Sequence, residues 1–200
     1  MPTRSQLARV LNPTDTEHPN QTPTTAAVSV VARDKPTQHG DRSLEILFIQ
    51  RASSPRDPWS GQMAFPGGRY EPPDMSLTQT ARRETLEEVG LDLFSIDPLG
   101  TLNELDGGRA TNRLVSVRPV VFWLGSQSPK LKANYEVADI VWVPVSDLLD
   151  PNRHIQYHYP PAGTHFPGIQ LNQANQVIWG LTLRMLSDLF NRLEYDFITL

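Results

Sequence analysis

The sequence predicts an α/β fold in which a mixed sheet lies between helices. Three observations carry that expectation. β-Branched and apolar runs recur along the chain: AAVSVVAR at 26–33, LEILFIQR at 44–51 and the stretch 114–124. Residues 76–89 switch to helical spacing, and a long amphipathic stretch follows at 174–193. Apolar strands separated by turn signals and interleaved with helical patterns belong to sheets covered by helices.

The elements follow in order. Ser5–Leu11 reads as one or two helical turns, and residues 13–25 (PTDTEHPNQTPTT) as a polar, Thr- and Pro-rich mobile connection. Residues 1–25 are therefore expected to form a partly flexible N-terminal appendage, and residues 26–200 one domain. The strands 26–33 and 44–51 form a central pair, and QMAF (62–65) is a short strand feeding into Pro66-Gly67-Gly68. Ser76 or Thr78 caps the helix that ends at Gly90, with Leu77, Ala81, Thr85, Leu86 and Val89 as its apolar stripe. Further strands are expected at Ser95–Leu102, Leu114–Leu124, Asp139–Pro144, His154–Tyr159 and Gly168–Leu171. The last helix, Ala174–Leu193, spaces Val177, Leu181, Met185 and Leu189 four residues apart, with Ile178, Leu186 and Phe190 beside them.

Composition narrows the function. A chain of 200 residues, 38% hydrophobic and 20% charged, suits one globular domain. Eighteen Lys and Arg against 22 Asp and Glu give a net charge of −4, which argues against a nucleic-acid backbone as main partner. A small anionic ligand remains compatible, because local arginines or a bound cation reverse the field within one cleft. The absence of cysteine removes disulfide scaffolds, Cys-type zinc sites and thiol nucleophiles. The start MPTRSQLARVLNP has no apolar stretch of a secretory signal, and the most apolar run, Val115–Leu124, is broken by Arg118 and Pro119. A cytoplasmic protein that meets no membrane is expected. No GxxxxGK[ST], HExxH or GxSxG motif is present, which leaves phosphate-loop, zincin and serine-hydrolase chemistry without support.

The chemistry concentrates in residues 67–91. On the predicted helix, Glu84, Glu87 and Glu88 stand at i, i+3 and i+4 and share one face. Arg83 can pair with Glu87, but an excess of negative charge remains, for which a hard divalent cation is the natural counter-ion. The Gly67-Gly68 turn brings bare backbone close to that face, where a carbonyl can join the ligand set. The alternative, a merely solvated Glu-rich helix, does not explain the glycine pair at the strand end.

Gly68, Asp74, Arg83-Glu84, Glu87-Glu88 and Gly90-Leu91 together resemble the Nudix box, G-x5-E-x7-R-E-U-x-E-E-x-G-U with U apolar, of the Nudix hydrolases. Asp74 stands for the first glutamate, the spacer to Arg83 is eight residues long, and Thr85 replaces the aliphatic residue. Upstream, Leu47 to Arg51-Ala52, Arg56, Gly61 and Phe65-Pro66-Gly67-Gly68 resemble the coenzyme A pyrophosphatase branch, L-L-T-x-R-S/A-x3-R-x3-G-x3-F-P-G-G. One extra residue falls within Asp57-Pro58-Trp59-Ser60. The resemblance extends through Glu136–Pro144 and covers nearly all of residues 26–190.

The resemblance implies a Nudix-type α/β/α sandwich over residues 26–200 and hydrolysis of a diphosphate linked to another group, with Mg2+ or Mn2+ as cofactor. It makes Glu84 and Glu88 metal ligands, Glu87 a ligand or general base, the Gly67 carbonyl a further ligand, and Arg83 the residue that holds a glutamate in place. Arg51, Arg56 and Arg69 flank the same loop and suit substrate phosphates. Trp59 either stacks on an adenine or packs. Glu136 is a candidate extra ligand or base, against ordinary strand-end solvation. His154 and His158 share a face of a strand better read as a solvated edge than as a metal site. The substrate is a nucleoside diphosphate derivative: coenzyme A, or alternatively ADP-ribose, a dinucleotide or a nucleoside triphosphate. A catalytically silent Nudix-like binding module is the competing class, and a monomer or homodimer is expected.

Overall fold

The computed structural model describes residues 2–14, 25–36, 42–55, 57, 59–107 and 115–198. Its centre is a mixed sheet. Strand β1 (Thr25–Pro36) runs antiparallel to β2 (Arg42–Arg51) on one side and parallel to β7 (Val115–Trp123) on the other. The sheet continues with β3 (Met63–Ala64) and β8 (Val137–Pro144) on β2, β4 (Gly67–Arg69) on β1, and β5 (Gly100–Thr101) and β6 (Leu105–Gly107) on β7. A second, three-stranded sheet places β10 (Thr164–Gln170) between β9 (His154–Tyr159) and β11 (Val177–Trp179).

Side-chain alternation makes the layers. Ala27, Val31, Leu47, Ile49, Val120 and Phe122 face one way and pack with Leu77, Ala81 and Val89 of helix α2 (Leu77–Val89). Ala26, Val30, Ile46, Phe48 and Val121 face the other way. They pack with Leu183, Leu186, Leu189 and Phe190 of helix α4 (Gly180–Arg192). Each fully buried aliphatic or Phe side chain contributes about 1.5–3 kcal/mol, so both faces must be covered. Sandwiched between helices, the sheet has the α/β architecture expected. A one-turn helix, α3 (Val145–Leu148), links β8 to β9.

The N-terminal segment joins this core. Helix α1 (Arg4–Val10) is closed by a Thr3–Gln6 capping box, and its Leu7 is only 2% exposed in the α4-side core. Asn12 bridges to Thr101 through paired backbone hydrogen bonds of 2.9 Å. Most of the expected mobile connection lies outside the described residues. None of the described helices is long and apolar enough to cross a membrane.

Several expectations need correction. Of Ser95–Leu102 only Gly100–Thr101 is strand; the rest is turn and irregular backbone. Val177, Ile178 and Trp179 belong to β11, and the helix starts at Gly180. The left-handed φ of 60° at Gly180 breaks the chain direction there, and the β-branched pair before it suits pairing with β10. Strand β10 begins four residues earlier than the expected Gly168. On α2, Leu86 is 41% exposed whereas Glu88 is 3% exposed, so the buried stripe passes through a carboxylate.

Candidate functional site

Helix α2 is fixed at both ends. Ser76 Oγ accepts the Gln79 N–H at 3.2 Å, and Gly90, at φ 68°, donates its N–H to the Leu86 carbonyl. Thr85, in place of an aliphatic residue, faces β1. Its Oγ1 lies 2.7 Å from both Ser29 Oγ and the Ala81 carbonyl, and Ser29 Oγ donates to that carbonyl at 3.0 Å. All these buried polar atoms are therefore satisfied, and they pin α2 to the sheet.

The Gly67-Gly68 pair sits between β1 and α2. Gly67 pairs with Val28 of β1, where a Cβ would overlap the Ala27 carbonyl oxygen and the Val28 Cα. A Cβ at Gly68 would lie 2.7 Å from Glu84 Oε2 and nearer still to Oε1, so only glycine leaves the Glu84 carboxylate in its present place. The Gly67 N–H donates to Glu88 Oε2 at 2.8 Å. The turn thus cradles two of the three clustered carboxylates.

Arg83 organises the outer side. Its Nε and Nη2 bind Asp74 at 3.0 and 2.9 Å, its Nη1 reaches Glu84 at 3.0 Å and Glu87 at 3.5 Å, and Nη2 also donates to the Arg69 carbonyl. Burial alone would raise the Asp74 pKa, but hydrogen bonds from Arg83, the Glu71 N–H and Thr80 outweigh it and hold the carboxyl below its usual range. Bonding to Asp74 in turn raises the Arg83 pKa, so Arg83 stays charged.

The electrostatic strain falls on Glu84 and Glu88. Burial pushes Glu84 above its ordinary value despite Arg83. Burial also pushes Glu88 up to about 8, opposed by the Gly67 N–H and the charge of Arg51 and reinforced by Glu84 and Glu136. An oxygen-only donor set whose charged form burial disfavours suits a hard divalent cation, which would restore the charged carboxylates. Among the described residues no three His, Asp or Glu side chains already converge as a cage. A cation held here would combine Glu84 and Glu88 with neighbouring groups, of which Glu87, with a 54% exposed side chain, is the most adaptable.

The other expected residues are placed as follows. Glu136 is exposed, and its charge acts on both Glu84 and Glu88. Its backbone is tied down by the Asn134 side chain and by Ala52 N–H. Arg51 lies near enough to act on Glu88 and donates through Nε to Asp57 Oδ2 at 2.7 Å. Arg69 presents an exposed side chain from β4. Trp59 is half-buried against the α4-side core. Arg56 lies outside the described residues. His154 bonds the Leu148 carbonyl and His158 rests on His165, along the edge strand β9. A cavity of about 450 Å³ lined by Pro2–Ser5, Asp34, Arg42, Leu44 and Trp123 includes none of the clustered carboxylates.

The contacts of two acidic residues in the network could not be read from the sequence. The box position of Asp74 was visible, but its bidentate grip on Arg83 was not. Asp57 carried no signal beyond lying in the stretch with one extra residue.

Several known proteins are similar to this chain. The NUDIX domain family matches residues 23–162. A Yersinia pestis (strain Pestoides F) protein described as the uncharacterized Nudix hydrolase NudL is 30% identical over 162 residues, which span 81% of this chain and 75% of that protein. Among solved structures, an Enterococcus faecalis MutT/nudix family protein superposes with a TM-score of 0.57 at 20% identity, over 89% of this chain and 65% of that one. A C. elegans Ap4A hydrolase gives 0.50 at 22% identity, over 62% of this chain and 82% of the other. At these identities the two structures speak for the fold alone. With the domain match and the Yersinia relative behind it, the chain belongs to the Nudix family of hydrolases, enzymes that act on phosphorus-containing anhydrides.

Proposed function

We propose that this enzyme is a pyrophosphohydrolase that cleaves the diphosphate linkage of a nucleoside diphosphate derivative with the help of Mg2+ or Mn2+. One observation carries the reading: Glu84 and Glu88 stand side by side against glycine backbone, and burial raises the pKa of both despite Arg83 and Arg51. Glu84, Glu87, Glu88 and the Gly67 carbonyl would hold the cation. When bound, the cation supplies charge neutralisation on the phosphate oxygens and activation of the attacking water.

The chain's own groups do the rest. Arg83, anchored on Asp74, fixes the Glu84 carboxylate and restrains Glu87. Glu87, exposed on the same helix face, and Glu136, exposed at the entry to β8, are the candidates to accept the proton of the attacking water. Arg51 and Arg69 offer guanidinium forks to substrate phosphates. The catalytic unit proposed is residues 26–200, with residues 1–25 as an appendage whose helix α1 packs on it through Leu7.

The favoured substrate is coenzyme A or an acyl derivative, cut to 3′,5′-ADP and a 4′-phosphopantetheine product. Arg51-Ala52, Gly61 and Phe65-Pro66-Gly67-Gly68 support it by their likeness to that branch, and cationic side chains suit the 3′-phosphate. Mass spectrometry of products from coenzyme A, dephospho-coenzyme A, ADP-ribose and nucleoside triphosphates tests this. Coenzyme A should show the highest kcat/KM; a value no better than that for ADP-ribose removes the assignment.

A further inference from the structure

We propose that Asp57 is a positioning residue that holds Arg51 by its Nε edge and turns the Nη1/Nη2 edge toward the substrate phosphates. The inference rests on the diphosphate-hydrolase reading given above. Asp57 is itself fixed: Oδ1 accepts the Trp59 N–H at 3.0 Å while Oδ2 accepts Arg51 Nε at 2.7 Å. The two side chains are 29% and 17% exposed for Arg51 and Asp57, so the pair is partly withdrawn from solvent.

A guanidinium has two binding edges. With Nε engaged, no hydrogen bond among the described residues reaches Nη1 or Nη2, which leaves the edge that suits bidentate phosphate contact. Arg51 ends β2 where the register with β8 shifts between Gln50 and Arg51, and its charge reaches Glu88. Asp57 therefore holds the guanidinium by one edge while its charge still reaches Glu88.

The loop that carries Asp57 is built to hold it. Arg51 N–H donates to the Gln62 carbonyl at 3.0 Å, Ser54 N–H to Ser60 Oγ at 2.8 Å, and Gln50 Nε2 to the Gly61 carbonyl at 3.2 Å. This is the stretch that is one residue longer than the coenzyme A signature. The longer loop thus supplies a carboxylate that aims the arginine.

The test is a double-mutant cycle. Asp57→Asn keeps an acceptor for the Trp59 N–H and removes the charge facing Arg51; Asp57→Ser does the same if the Asn variant does not fold. Steady-state hydrolysis of coenzyme A and ADP-ribose with Mg2+ is measured alongside calorimetric binding of ADP with Ca2+. KM and the ADP Kd should rise about tenfold, the size of one lost charge-assisted contact, with kcat within about twofold. In an Arg51→Ala background the same substitution should change neither by more than about twofold. Unchanged KM and Kd, or an equal effect without Arg51, overturns the proposal. If the wild-type protein hydrolyses neither substrate, the hydrolase reading fails separately, and the ADP arm still decides the role of Asp57.

Discussion

Glu88→Gln separates the electrostatic argument from catalysis. The Glu88 pKa rises from the ordinary 4.5 to about 8 in the folded protein, because burial disfavours the charged form. Between those values the folded state binds a proton that the unfolded state does not. Stability from this group is therefore fully present below pH 4.5 and is lost as pH rises through 8. At about 1.4 kcal/mol per pKa unit the loss approaches roughly 5 kcal/mol, or on the order of 10 °C in Tm for a chain of this length. Glutamine resembles the protonated acid and can still accept the Gly67 N–H. In EDTA, Glu88→Gln should match or fall slightly below the wild type at pH 5, where its amide costs about 1 kcal/mol if unpaired. At pH 8.5 it should be clearly more stable. Saturating Mg2+ should narrow the gap at pH 8.5, because the wild type, with its full set of carboxylates, gains more from the cation than the variant does. Thermal unfolding followed by circular dichroism reads all of this. Parallel pH profiles for the two proteins would refute the reasoning.

Other perturbations follow from the same structure. Gly68→Ala should displace the Glu84 carboxylate rather than backbone, so activity should fall at least about 100-fold while Tm changes little; a normal kcat contradicts the cradle. Gly67→Ala would drive a methyl into β1 backbone and should yield poorly folded protein, which expression and circular dichroism will show. Leu7→Ala removes a side chain only 2% exposed and should lower unfolding stability by about 2–5 kcal/mol in urea titration, with kcat per folded molecule unchanged.

The carboxylate helix was legible because its signals are local. Ser76, Gly90 and the spacing of Glu84, Glu87 and Glu88 mark a cap, a stop and a shared face within one segment. What sequence could not show depends on distant partners. The buried face of α2 includes Thr80, Thr85 and Glu88 because Asp74, Ser29 and the Gly67 N–H satisfy them. Read by hydropathy alone, the stripe favoured Leu86, which is exposed. Val177–Trp179 carry helical spacing with the residues that follow, yet pairing with β10 claims them for a strand. Strands β4 and β6 are three residues each, too short for a periodic signal and defined only by their neighbours β1 and β7. Leu7 gave no sign that its short helix would close the core from sequence positions so far from α4.

The most direct test of the carboxylate site is turnover of the best substrate by Glu88→Gln and by wild-type protein, both folded, at saturating Mg2+. The account predicts a kcat lower by about three orders of magnitude for the variant, with the same products from the residual activity. Normal turnover by Glu88→Gln would contradict it, because the reaction would then not depend on the carboxylates that Gly67, Gly68 and Arg83 hold in place.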